Sequence, residues 1–313
     1  MHPILFQLWG YPLHLYSLMI SAGCLVGLWL AVRHAEKVGI NRYIMLDLCW
    51  WLILGGYLGA RVVFMVVNWE HHWYPCFDYE YYNQLYPEHA LQEAQCLPLI
   101  AVWSGGLVFY GAFLGGMVVL LWFTHKHKLK LLPIADVIMP AFAIGQFFGR
   151  MGCLAAGCCW GKVTDLSWGI IFSNRSMVFR QHLQQGLLTH DASHALPVHP
   201  TQLYDSLYGL GLFVVLTWIR RRKRYHGQVF IWWLFLYPMM RSLVELFRGD
   251  ADRGFMFRVI YEPLNQFLGL PAGSSTFLST SQFISLSIML FSGGLIFYLR
   301  SKQLSQPIKT SQT

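Results

Sequence analysis

Long apolar runs, each of about bilayer-crossing length, alternate along this chain with polar connections. A hydrocarbon core about 30 Å thick takes roughly 20 apolar residues of helix. Windows of that size lie at Leu13–Val32, Asp47–Val67, Leu99–Phe123, Leu132–Ala155, Leu203–Ile219, Val229–Phe247 and Phe283–Leu299. They are apolar all round, without the alternation over about ten residues that marks a barrel strand. The pattern predicts an all-α fold, a polytopic transmembrane helical bundle of about seven spans. Residues 1–303 read as one transmembrane domain with external loops at about 69–97, 160–198 and 248–280, and residues 304–313 as a short tail.

Composition supports the membrane reading. Of 313 residues, 55% are hydrophobic and only 12% charged, more apolar than soluble globular chains of this length. Basic residues then set the orientation. Arg33, Lys37 and Arg42, then Lys126, Lys128 and Lys130, then the run Arg220 to Arg224, then Arg300, Lys302 and Lys309 fall in every second connection. Such segments stay in the cytoplasm. Residues 68–102 hold no Lys or Arg but carry Glu70, Asp78, Glu80, Glu88 and Glu93. The N-terminus is therefore expected outside and the C-terminus in the cytoplasm. The first window has no basic residues ahead of it and no small-residue cleavage pattern, so it reads as a retained span. The net charge of +8 follows from this bias and from attraction to anionic lipid. Nucleic-acid binding would need an exposed basic domain, and an intracellular effector would need longer cytoplasmic connections; the chain has neither.

The seven cysteines divide by location. Cys76 and Cys96 sit in the acidic external loop, where an oxidising compartment permits a disulfide worth about 3 kcal/mol. Cys24 and Cys49 fall in or beside apolar windows and read as small buried hydrophobes. Cys153, Cys158 and Cys159 do not form the two short-spaced pairs usual in zinc sites, and His182, His190, His194 and His199 add no ligand pattern. Tight packing or a local disulfide is expected there, and no metal.

The charges that interrupt the apolar windows carry the chemistry. An ionisable group at a span centre costs about 2.5–3.5 kcal/mol, so Arg61, Arg150, Arg241 and Glu245 need partners or a polar cavity. At about 100° per residue, Tyr237, Arg241, Glu245 and Arg248 fall within an arc of roughly 80° on one helix face. A structural Arg–Glu pair explains part of that stripe, but the surplus of buried cations asks for an anion. Glycines lie close by in Gly55-Gly56-Tyr57-Leu58-Gly59-Ala60-Arg61, in Gly105-Gly106 before Tyr110-Gly111, and in Gly149-Arg150-Met151-Gly152. They suit helix packing and also the approach of a phosphate to a guanidinium. An anionic phospholipid is the bilayer-resident phosphate.

Gly149-Arg150-Met151-Gly152 followed by Gly157 and Trp160-Gly161, then His199-Pro200-Thr201-Gln202-Leu203-Tyr204, the Gly-Gly segment through Tyr110, and Arg241 through Glu245 to Arg248 together resemble the bacterial prolipoprotein diacylglyceryl transferase family. The matches run in family order from about Tyr16 to Arg248. The resemblance implies a multi-pass enzyme of the bacterial cytoplasmic (inner) membrane. It implies transfer of a diacylglyceryl group from phosphatidylglycerol to the thiol of a lipobox cysteine in the signal peptides of prolipoproteins, with no cofactor. Arg150 and Arg241 are the leading phosphate ligands, with Arg248 and Arg61 supporting. Glu245 would orient Arg241. Tyr16 and Tyr237 would hydrogen-bond headgroup or leaving group. Gly105, Gly106, Gly152, Gly161, His199 and Gln202 would shape the substrate site, the last two by positioning.

Two departures stand out. Tyr110 occupies the position of a family histidine, and a phenol of ordinary pKa near 10 is a poor base at neutral pH. Cys153, Ala156 and Cys158 stand where the family has asparagines and a glutamate. A phospholipid-group transferase with another acceptor, or a non-catalytic lipid-binding relative, therefore remains open. A transporter would show inverted repeats or paired broken helices, and the sequence has none.

Overall fold

A computed structural model describes residues 4–8, 11–89, 91–96, 108–189, 191–249, 255–267, 273 and 277–304. Helices dominate it. Each of the seven apolar windows corresponds to a helix: α1 (Leu15–Lys37), α2 (Arg42–Val67), and, after the short α3 (Trp69–His72), α4 (Tyr74–Phe77) and α5 (Tyr79–Leu85), α6 (Phe109–Lys126) and α7 (Leu131–Ala156). There follow α8 (Met177–Gln184), α9 (Thr201–Arg221), α10 (Gln228–Glu245), α11 (Glu262–Phe267) and α12 (Thr280–Leu304). Among the described residues, five helices are long and apolar enough to cross a membrane: α1, α2, α7, α9 and α12. α6 is apolar but shorter, and α10 has 18 residues that include Arg241 and Glu245. Two short strand pairs accompany the helices. β1 (Ile4–Leu8) pairs antiparallel with β2 (Tyr11–His14) ahead of α1, and β3 (Phe255–Val259) pairs antiparallel with β4 (Phe277–Ser279) ahead of α12. Neither strand pair shows in the apolar pattern, because β2 and β4 run directly into the hydrophobic windows that follow them.

The chain forms two compact units, residues 1–31 with 135–313, and residues 32–134. In the first, α1, α9 and α10 each pack against α7. α1 approaches it at Gly23, where a Cβ would stand 2.8 Å from the Phe148 Cβ, and α9 approaches it at Gly209, 3.0 Å from the Phe147 backbone nitrogen. Ala143, Tyr208, Leu212, Leu216, Ile219, Val229 and Trp233 form the buried core between α7, α9 and α10. One buried carboxylate fixes where α10 begins. Asp136 is fully buried and accepts hydrogen bonds from Gly227 N (2.8 Å), Val229 N (2.9 Å) and Phe230 N (3.1 Å), with Lys223 Nζ at 3.2 Å. It satisfies the unpaired amides and the positive dipole end of that helix.

The segment expected as an external loop at 160–198 has its own core. Trp160, Phe172, Val178, Phe179, Ala195 and Val198 bury one another, and α8 starts with Ser176 Oγ accepting from Phe179 N at 3.2 Å. Isolated β-bridges Val163 to Val198, Ile170 to Val198 and Gly161 to Arg248 close it against the end of α10. At Gly161 the backbone approach is so close that a Cβ would lie 2.6 Å from the His199 oxygen and 2.7 Å from that of Phe247.

In the second unit, α2 and α6 pack backbone to backbone. A Cβ on Gly59 would fall on the Gly111 oxygen, and one on Gly111 on the Gly59 oxygen; Gly115 meets Gly55 in the same way. Small residues four apart on both helices give this contact. The helices α3 to α5 follow α2, and Cys76 is disulfide-bonded to Cys96.

Candidate active site

The site is built where α7 ends, α9 begins and the chain leaves α10, all within the first unit. Arg150 lies near the C-terminal end of α7. Its Nε is 3.2 Å from Asp205 Oδ2, a carboxylate on the first turns of α9 that is almost wholly buried. One turn apart on α10, Arg241 and Glu245 pair at 2.6 Å, and Glu245 Oε1 accepts from Ser279 Oγ at 3.2 Å. Ser279 in turn holds Gln282 N (3.2 Å), and Gln282 Nε2 donates to Ser242 O (3.2 Å). Both arginines are thus aimed by buried carboxylates, and Glu245 is itself anchored through Ser279. A guanidinium held this way loses little freedom when it meets a phosphate.

Arg248 is not on the helical stripe. α10 ends at Glu245 because the chain turns to bridge residues 160–162: Phe247 O accepts from Lys162 N at 2.7 Å and Trp160 O accepts from Gly249 N at 3.3 Å. Arg248 is carried on that bridge, nearly buried, and interacts electrostatically with Arg150 and Cys159. Tyr237 stays on the α10 face, stacked on Trp233 with centroids 5.2 Å apart.

His199 and Gln202 hold the framework. His199 is fully buried; its backbone pairs with Gly161 and Lys162, and its Nδ1 lies 3.3 Å from Tyr204 Oη. Gln202 Nε2 donates to Cys158 O and Thr201 Oγ1 to Cys159 O, both at 2.8 Å. The start of α9 therefore clamps the turn that leaves α7. That turn is unusual: Gly157 has φ +68° and Cys159, not a glycine, has φ +61°. It brings Cys153, Cys158 and Cys159 together, their sulfurs all within 4.8 Å of one another. Hydrogen bonds from Cys153 and Cys158, and then the charges of Arg248 and Arg150, hold the Cys159 thiol far below the ordinary thiol range. Hydrogen bonding to the other two thiols, followed by burial, pushes Cys158 up. Tyr16, on the first turn of α1, is half-exposed and within electrostatic reach of these thiols and Arg150. A Cβ on Gly152 would stand 3.1 Å from its ring.

Arg61 belongs to the second unit, where it is 3% exposed with its guanidinium 5.4 Å from the Phe64 ring centroid. Gly105, Gly106 and the Tyr110 side chain lie outside the described residues.

The family model for prolipoprotein diacylglyceryl transferase matches residues 3–298. The chain belongs to the prolipoprotein diacylglyceryl transferase family. Among its relatives, a phosphatidylglycerol–prolipoprotein diacylglyceryl transferase of Clostridium tetani is 29% identical over 286 residues, covering 91% of this chain and 93% of the relative. Enzymes of the same name from Sodalis glossinidius and Pectobacterium atrosepticum are each 32% identical, covering 86% of this chain and 88% and 89% of their own lengths. Within the frame of a diacylglyceryl transferase, Asp205 and Ser279 are the partners that sequence reasoning missed. Asp205 was findable: it is a carboxylate inside an apolar window, and the insertion cost that singled out Arg150 applies to it equally. Ser279 carries no such signal.

Proposed function

We propose that this protein transfers the diacylglyceryl group of phosphatidylglycerol to the lipobox cysteine of prolipoproteins, in the bacterial inner membrane. The observation that carries the proposal is the family match across residues 3–298, together with near-complete coverage of relatives that bear this name. Seven spans with the N-terminus outside fit the positions of the basic connections.

The acceptor sulfur attacks the glyceryl carbon that bears the phosphate. The C–S bond forms as the C–O bond breaks, and the electron pair leaves on the phosphate oxygen as glycerol phosphate. The thiol proton passes to solvent before or during attack. Charge gathers on the leaving oxygen, where preorganised cations lower the barrier most. Arg150, aimed by Asp205, and Arg241, aimed by Glu245, are suited to that task. Arg248 adds positive charge beside Arg150. Tyr237 and Tyr16 supply hydroxyls for the headgroup. All of these side chains belong to the first unit.

Complementation tests the proposal in cells. In a bacterium depleted of its own diacylglyceryl transferase, the wild-type chain should restore growth and lipidated lipoproteins. Arg150→Ala and Arg241→Ala should insert normally yet lose about 100-fold or more of the transfer. Normal lipidation by either variant would refute this site.

A further inference from the structure

Three thiols converge beside the phosphate-binding arginine, and nothing in the transfer mechanism above uses them. Cys153 is on the last turns of α7, and Cys158 and Cys159 are on the turn that follows. Among the described residues, no other trio of His, Cys, Asp or Glu is arranged to hold a metal ion. The convergence depends on features that the sequence spacing conceals. Two residues of the turn have positive φ, and a non-glycine residue rarely adopts that conformation. The carbonyls of Cys158 and Cys159 are each tied to the start of α9.

We infer that Cys153, Cys158 and Cys159 form a binding site for a thiophilic divalent cation of the zinc class, whose open fourth position takes the acceptor cysteine thiol. Three ligands and one open position is the usual arrangement of a zinc ion that takes part in chemistry. With Zn–S near 2.3 Å, tetrahedral ligation sets sulfurs about 3.8 Å apart, so the trio needs to close by only about 1 Å. The thiols are partly buried, not sealed, which leaves one side open to a ligand. Three thiolates around a divalent ion leave one net negative charge, and a fourth thiolate leaves two. Arg150 and Arg248 lie within electrostatic reach to offset it.

The acceptor role rests on the transfer reaction proposed above. A thiol that coordinates zinc is deprotonated outright, its proton passing to solvent. The bound sulfur retains a lone pair to attack the glyceryl carbon, and the ion's oxidation state does not change. Arg150, next to the cluster, would hold the departing phosphate, so nucleophile and leaving group meet at one guanidinium. Activation by the ion would serve where Tyr110 stands in place of a histidine.

The test uses the full chain, purified without a metal-binding tag in detergent and reductant. Elemental analysis should find about one zinc per chain, as a single four-coordinate site requires. Cys153→Ser, Cys158→Ser and Cys159→Ser should each lose it, and Cys24→Ser should keep it. Should the serine variants fold poorly, chelation and reloading of the wild type gives the same answer. Cobalt(II) in the stripped protein should show thiolate charge-transfer absorption that changes on adding a lipobox peptide but not its Cys→Ser counterpart. Stripping should slow transfer about 100-fold, and zinc should restore it. Failure to take up zinc or cobalt, or a disulfide within the trio in the isolated protein, overturns the site. Full-rate transfer by stripped protein overturns the acceptor role and leaves the transferase reading intact. A cobalt spectrum that responds to the thiol peptide without any transfer sustains the site and defeats the transferase reading.

Discussion

At the scale of single residues, this structure aims its cations with buried carboxylates. Arg150 is paired with Asp205 on a different helix, so in the proposed reaction Asp205 is a positioning residue whose removal would act through the guanidinium. Asp205→Ala should lower kcat about 100-fold with little change in KM for phosphatidylglycerol, because binding charge remains while its direction is lost. Asp205→Asn should recover part of the rate. An unchanged kcat in Asp205→Ala would remove it from the site. The thiols give a pH signature. Cys159 is held below the ordinary thiol range near 8.5, so its thiolate persists as pH falls through that range. In chelator-treated protein, one thiol of the trio should react with iodoacetamide at about pH 6, and Cys159→Ser should abolish that labelling. Reaction only above about pH 8 would contradict the assigned direction. Arg150, Arg241 and Glu245 were legible in the sequence because a charge in an apolar window needs a reason. Asp136 and Asp205 satisfied the same criterion and went unread. The meeting of three thiols was not legible, since Cys-x4-Cys-Cys gives no hint of the left-handed backbone at Cys159.

At the scale of elements, the apolar windows located every long helix among the described residues, and the ends are where local pattern failed. The sixth window extended α10 through Phe247, but tertiary pairing with residues 160–162 stops the helix at Glu245 and moves Arg248 onto a bridge. The stretch at 160–198 looked like a loop because its apolar residues are spaced irregularly, yet Trp160, Phe172, Phe179 and Val198 meet to form a core. The glycine segments were legible as close-approach positions, and α2 with α6 shows which approach: backbone against backbone at Gly59 and Gly111. Gly111→Val should force these helices apart and cost about 3 kcal/mol, read as a lower melting temperature in detergent. Unchanged melting would mean that the pair tolerates separation.

At the scale of the whole molecule, apolar composition and the alternation of basic connections identify a membrane protein, and family membership identifies the chemistry to test in it. The ordered motifs from Tyr16 to Arg248 were what made the family visible, because no single one of them is specific. Of the residues that differ from the family pattern, Cys153, Ala156 and Cys158 lie at or just past the end of α7 beside Arg150, where the proposed reaction brings acceptor and leaving group together. A changed acceptor would therefore show itself in the reaction product. The most direct test is to incubate the purified protein with phosphatidylglycerol and a lipobox peptide, following peptide mass and glycerol phosphate release. The account predicts a diacylglyceryl-sized gain on the cysteine, matched by glycerol phosphate, and no gain on a Cys→Ser peptide. Release of glycerol phosphate without modified peptide, or no reaction where a related transferase works under the same conditions, would contradict it.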